Sequence, residues 1–194
     1  MADAAEQCSS LTCLNLDGNP TRKGVLLVKL HLFGRDGRSG HLLDARHKGI
    51  TDADVGRLAP VLTRCAALAE LDFVSNRITD EGAQVLAEVV AHNAALTSVN
   101  LEFNKVTDVG AQKLAEAIKR NPSLVAFSVA RNPTRRGNLL VKLALLGRHN
   151  RILSAFGENL EDAQMDLVAE ALVSSAPGIT TLDLSNNRIT DAGA

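Results

Sequence analysis

The sequence predicts an α/β solenoid of about seven strand–helix repeats, with parallel strands on a concave inner face and helices on a convex outer face. Three observations predict it. An apolar pattern recurs along the whole 194-residue chain at a near-constant interval. Each copy joins a short alternating stretch to a stretch with helical spacing. Aromatic residues make up only 3% of the chain, with no Trp and no Tyr. Such an interior is filled by Leu, Val, Ile and Ala, which suits many thin layers better than one large core.

The strand half of each repeat comes first. Leu11, Leu14, Leu16 and Asn19 return in the same spacing as Leu68, Leu71, Phe73 and Asn76. The pattern recurs as Leu96, Val99, Leu101 and Asn104, then as Leu124, Phe127, Val129 and Asn132. The last copy is Ile179, Leu182, Leu184 and Asn187. Two degenerate copies fill the gaps, with Lys48 and Glu158 in the asparagine position. That position therefore falls at residues 19, 48, 76, 104, 132, 158 and 187, at intervals of 29, 28, 28, 28, 26 and 29. Strands are expected near residues 11–19, 40–48, 68–76, 96–104, 124–132, 150–158 and 179–187 of a single domain spanning 1–194.

The helical half opens on a hydroxyl and a carboxylate that can satisfy free amide donors: Thr51-Asp52, Thr79-Asp80, Thr107-Asp108 and Thr190-Asp191. Ala83, Leu86, Ala87 and Val90 then follow at spacings of three and four, one face of an amphipathic helix. A longer period is also present. Residues 19–35 match residues 132–148 at 13 of 17 positions, offset by 113. The segment alternates like a strand in places, but its position in the repeat assigns it to the helical half. A degenerate repeat follows each copy, so a paired irregularity is expected. The chain stops as a seventh helix should begin, and truncation at the C-terminus is expected, with Leu182, Leu184 and Ile189 left facing open space.

This pattern resembles the leucine-rich repeat family, specifically its ribonuclease-inhibitor-like subclass with repeats of 28 or 29 residues. The resemblance covers the chain from Leu11 to Ala194. It implies the horseshoe solenoid and, as the common property of the family, the binding of other proteins. Some members of the resembling family activate small GTPases through loop residues. No loop here matches, and the acidic tail of that group is missing.

Composition restricts the function further. The 21 basic and 22 acidic residues give a formal net charge of −1, which argues against nucleic acid or an anionic membrane as the main partner. The N-terminal residues are acidic where a signal peptide needs positive charge, and no apolar run is long enough to span a bilayer. Cys8, Cys13 and Cys65 fit no zinc spacing and read as free thiols in a reducing compartment, so a cytoplasmic location is expected. His31, His41, His47, His92 and His149 form no metal spacing. No nucleophile–base pairing and no phosphate-cradling glycine loop is present. Neither an enzyme nor a cofactor site is expected.

The asparagine series (Asn19, Asn76, Asn104, Asn132, Asn187) is expected to satisfy backbone groups in the turns. Binding is expected instead on the outward strand positions: Asp17, Asp44, Glu70, Asp72, Asn100, Glu102 and Asp183. The acids among them outnumber Arg46 and favour a basic protein partner. Phe103 and Phe156 are the aromatic residues at strand ends. Residues 117–157 hold no acid and eight positive charges. Arg131, Arg135, Arg136, Lys142, Arg148 and Arg151 form a candidate basic patch from that stretch, suited to phosphate, an acidic protein or another copy of the chain. The reading is thus a protein-interaction scaffold; the alternatives are a GTPase regulator and a structural subunit of a cytoskeletal or ciliary assembly, with self-association through uncapped ends.

Overall fold

The computed structural model describes residues 42–66, 68–146, 152–175 and 179–193. Strands and helices alternate through them. Strand β1 (Leu42–Asp44) leads to helix α1 (Asp52–Arg64), β2 (Glu70–Asp72) to α2 (Asp80–His92), and β3 (Ser98–Asn100) to α3 (Asp108–Arg120). Strand β4 (Ala126–Ser128) leads to α4 (Gly137–Leu145). Strand β5 (Ile152–Ser154), a 3₁₀ turn (Asp162–Gln164), α5 (Met165–Ser175) and β6 (Thr181–Asp183) complete the order. The predicted first strand, residues 11–19, and the first copy of the duplicated segment lie outside the described residues. Within the second copy, Gly137–Leu145 form α4, as the place of that segment in the repeat requires.

The repeat interval becomes the strand register. Strands β1 to β4 form one parallel sheet in which Leu43, Leu71, Val99 and Phe127 stand side by side. All four are buried, and their strand neighbours on either side point outward, as the pleat demands. The next inward row, Ala45, Phe73, Leu101 and Val129, is fully buried. Helices α1 to α4 pack neighbour against neighbour and close this core from the other side with Leu58, Leu86 and Leu114. Burying each leucine contributes on the order of 1.5–3 kcal/mol, so one thin layer per repeat stabilises the stack without large rings.

The asparagines satisfy the turns between layers. The Asn104 amide donates to Phe73 O (2.9 Å) and Leu101 O (3.0 Å), and its oxygen accepts from Ile78 N (3.1 Å). Asn76, Asn132 and Asn187 repeat the arrangement, each reaching back to a carbonyl of the preceding repeat. A second buried series stands at the helix ends. Asn93 donates to Leu62 O and Cys65 O, and Asn121 donates to Val90 O and Asn93 O. Cys65, buried, occupies the same helix-end position of α1.

Helix starts are tied across repeats as well. Thr79 and Thr107 cap their own helices, but the aspartate after each threonine serves the next repeat. Asp52 accepts from Thr79 N, Thr79 Oγ1 and Gly82 N (2.8, 2.8 and 3.0 Å). Asp80 does the same for Thr107 and Gly110, and Asp162 for Thr190. Bonds from Thr190 hold the Asp162 carboxyl below its ordinary range. Asp108 meets Arg135 N and Arg136 N instead, because Arg135 stands where the preceding repeats have Thr79 and Thr107.

The irregularity falls at residue 158. The interval there is two residues short, and α4 has nine residues where α1 to α3 have 13. Glu158 has no amide to donate to the preceding turn. Its carboxylate accepts from Asn138 Nδ2 and Lys142 Nζ, both at 2.6 Å, and Lys142 also donates to Ser154 O. Strand β5 pairs with β6 in a separate two-stranded sheet, Leu153 opposite Leu182. Helix α4 joins the two interiors, with Val141 and Ala144 in the larger core and Leu139 beside Ala155, Leu160 and Val168 in the smaller one. The other degenerate repeat shares a backbone feature with this one. His47 and Gly49 flank Lys48, and Gly157 and Asn159 flank Glu158, all four at positive φ. The last strand is less covered than its counterparts: Leu182 is exposed, and Leu184 and Ile189 are half-buried.

Candidate protein-binding surface

The outward strand positions of the first sheet form three rows. Leu42, Glu70, Ser98 and Ala126 align across the strands, as do Asp44, Asp72, Asn100 and Ser128. Neighbouring strands lie roughly 4.8 Å apart. Arg46, Val74, Glu102 and Ala130 follow two residues further on, where the strands enter their turns. The structure thus brings Asp44, Glu70, Asp72, Asn100 and Glu102 onto one face. It places Asp183 in the separate β5–β6 sheet, and Asp17 lies outside the described residues.

The middle row has a local duty that the sequence reading missed. Asp44 accepts from Arg46 N (3.1 Å), Asp72 from Val74 N (3.1 Å) and Asn100 from Glu102 N (3.0 Å). Ser128 and Asp183 accept from the amide two residues on in the same way. Each side chain thereby closes the turn that takes the chain out of its strand. The signal was an acceptor side chain recurring in one position of the repeat. Ser185 donates to Asp183 from both side chain and backbone and holds its carboxyl low.

Charge on this face is uneven. The Arg46 guanidinium lies 2.8 Å from Asp44 and 3.5 Å from Asp72. Glu102 accepts from Ser128 Oγ at 2.7 Å. Glu70 is exposed. The side-chain hydrogen bond from Arg46 is the main reason the Asp44 carboxyl is lowered to about 2, against the opposing effect of burial. A lowered folded value means that the pair's contribution is fully present above the unfolded carboxylate value of roughly 3.9 and is lost as pH falls through about 2. Because both side chains are about half-exposed, solvent screening keeps that contribution small. An NMR titration of Asp44 is expected to show ionisation persisting to about pH 2 and returning toward the ordinary range in Arg46→Gln. An unshifted Asp44 in the wild type would contradict the pairing.

The candidate basic patch is redistributed. Arg131, Arg135 and Arg136 are exposed along the edge where strands turn into helices. Lys142 is engaged with Glu158 and leaves the patch. Arg148 and Arg151 lie outside the described residues. Phe103 and Phe156 are exposed at strand ends, at 52% and 56%. Among the described residues no group of three His, Cys, Asp or Glu side chains is placed to hold a metal ion. No described helix is long and apolar enough to cross a membrane.

Comparison with known proteins agrees with this geometry. A family model described as Leucine Rich repeat matches residues 65–87, 92–115 and 179–194. No curated protein matches the chain in sequence. Among solved structures, the tropomodulin C-terminal domain of Caenorhabditis elegans is similar at a TM-score of 0.50 and 16% identity, covering 74% of this chain and 90% of that one. A structure of leiomodin-1 actin-binding site 2 gives 0.48 and 16%, covering 74% and 69%. An internalin of Listeria monocytogenes gives 0.34 and 21%, covering 68% and 46%. The matched segments are similar to leucine-rich repeats, and the described residues have the alternating helix and parallel-strand fold of such repeats.

Proposed function

We propose that this chain is a non-catalytic protein-binding scaffold that receives a basic partner on the outward face of strands β1 to β3. The observation that carries the reading is the parallel register. It sets Asp44, Glu70, Asp72 and Glu102 on one exposed face with Arg46 as the single opposing charge, and Asn100 offers a polar contact between them. An acidic face of this kind steers a basic partner and fixes its orientation more than it adds raw affinity. The 28-residue interval supports the ribonuclease-inhibitor-like subclass, with seven repeats curved into a horseshoe whose concave side is this face. A cytoplasmic setting fits the buried free thiol of Cys65.

The test is affinity capture from cell extract with wild type and with a Glu70→Lys, Asp72→Asn, Glu102→Lys variant. Asparagine at residue 72 keeps the acceptor that closes the turn onto Val74. The variant is expected to fold and to lose the wild type's partners. Recovery of the same partners by both proteins would contradict the reading.

A further inference from the structure

A second surface runs along the edge where strands turn into helices. The turns stack in register there: Arg77 N donates to Ile50 O and Lys105 N to Ile78 O, both at 2.8 Å. Arg77 and Lys105 therefore occupy one row on successive repeats, and both are exposed. Two residues earlier in each turn stands a residue at positive φ: Ser75, Phe103 and Arg131 at 56°, 54° and 60°. Phe103 N donates to Ala130 O (3.2 Å) and Ser75 N to Glu102 O (3.0 Å), which stacks this row as well. Phe103 thus has Lys105 beyond it in its own turn, Arg131 beside it on the next repeat, and Arg77 on the repeat before. Arg135 and Arg136 continue the positive edge.

Two features set this edge apart. Among the described residues, none of these five basic side chains forms an ion pair. Of the carboxylates along this edge, Asp80 and Asp108 are turned to the helix starts of the next repeat and Glu102 to Ser128, while Glu81 at the start of α2 is exposed. Phe103 is the second feature. A bulky side chain at positive φ is strained, and this one is 52% exposed with no burial to compensate. The equivalent position of the last repeat holds Asn186, a residue suited to that conformation.

We propose that this edge is a docking surface for an acidic protein segment, with Phe103 as its apolar anchor and Arg77, Lys105, Arg131, Arg135 and Arg136 as the charges around it. Aromatic and arginine side chains are the types that dominate interface hot spots. The charges select an acidic partner, opposite in sign to the one proposed for the strand face. A single-stranded nucleic acid would call for successive stacking aromatics, and the neighbouring positions in the row are Ser75 and Arg131.

The test uses fluorescence anisotropy with three probes: a glutamate-rich peptide with leucines at its centre, an all-glutamate peptide of equal length, and a single-stranded oligouridylate. The leucine-containing peptide is expected to bind wild type most tightly. Phe103→Asn is expected to weaken that binding about tenfold while raising the melting temperature by about 2–4 °C, because strain is relieved as the anchor is lost. Arg77→Ser with Lys105→Ser is expected to weaken both peptides. Equal affinity in wild type and variants, a failure of every probe, tighter binding of the oligouridylate, or a lower melting temperature in Phe103→Asn would each overturn the proposal.

Discussion

Replacing Asn104 by alanine is expected to lower the free energy of unfolding by about 3–4 kcal/mol, measured as a fall in the urea midpoint with little change in slope. The side chain is buried and holds two repeats together. Its amide serves Phe73 O, Leu101 O and Glu102 O, and its oxygen serves Ile78 N. Alanine leaves Ile78 N without its acceptor and removes one of the donors to Phe73 O, Leu101 O and Glu102 O, which keep Asn76, Asn132 and Ser75 N. A buried group left unpaired loses its hydration without replacement, at about 1–3 kcal/mol each, reduced where water can enter. Binding at the strand face should persist in the fraction that stays folded, because Asn104 points inward. A variant as stable as wild type that no longer binds would reverse the roles given to inner amides and outer acids.

The second large effect is expected at Gly110. A Cβ there would lie 2.5 Å from Asp80 Oδ1, 2.9 Å from Val106 Cγ1 and 3.0 Å from Ala83 Cβ. All three are closer than carbon and oxygen atoms pack, so the neighbours must move. The first of them is the carboxylate that accepts from Thr107 N, Thr107 Oγ1 and Gly110 N. Gly110→Ala therefore overfills the contact between α2 and α3 and displaces the link that ties one repeat's helix start to the next. The expected loss is about 2–3 kcal/mol, despite the usual preference of helices for alanine over glycine. Thermal melting of the variant checks this; a gain in stability, as at an ordinary exposed helix glycine, would show that the Asp80 link carries little.

Much of this fold is legible because one layer recurs. Leu71, Phe73, Asn76 and Ile78 predict their own counterparts 28 residues away, and the parallel register reproduces that interval directly. The helix starts at Thr79 and Thr107 are also local, since a threonine can reach amides of its own first turn. Asp52 and Asp80 are harder to read. Their partners are some 27–30 residues distant, brought near only by stacking, and local capping logic assigns them to their own helices. The same holds for Asn93 and Asn121, which look like ordinary polar helix ends until the carbonyls of the preceding repeat are placed against them.

The short interval before Glu158 marks an irregular repeat, but its consequence depends on what the carboxylate meets. Lys142 comes from a segment that, by composition, belongs to a basic patch, and the structure spends its charge on Glu158 and Ser154 O instead. The surface is the least legible part. Asp44 and Asp72 close turns and also present charge, so their residue type alone does not separate the two roles. Glu70 carries no such duty and is the cleaner marker of the face.

We propose that the acids on the strand face bind a basic protein. It is tested most directly by calorimetric titration of a captured partner into wild type and into the Glu70→Lys, Asp72→Asn, Glu102→Lys variant, with melting curves recorded for both. Equal melting is expected, with an affinity at least about 30-fold weaker in the variant and weakening of the wild-type complex as salt is raised. An unchanged dissociation constant in the folded variant would contradict it.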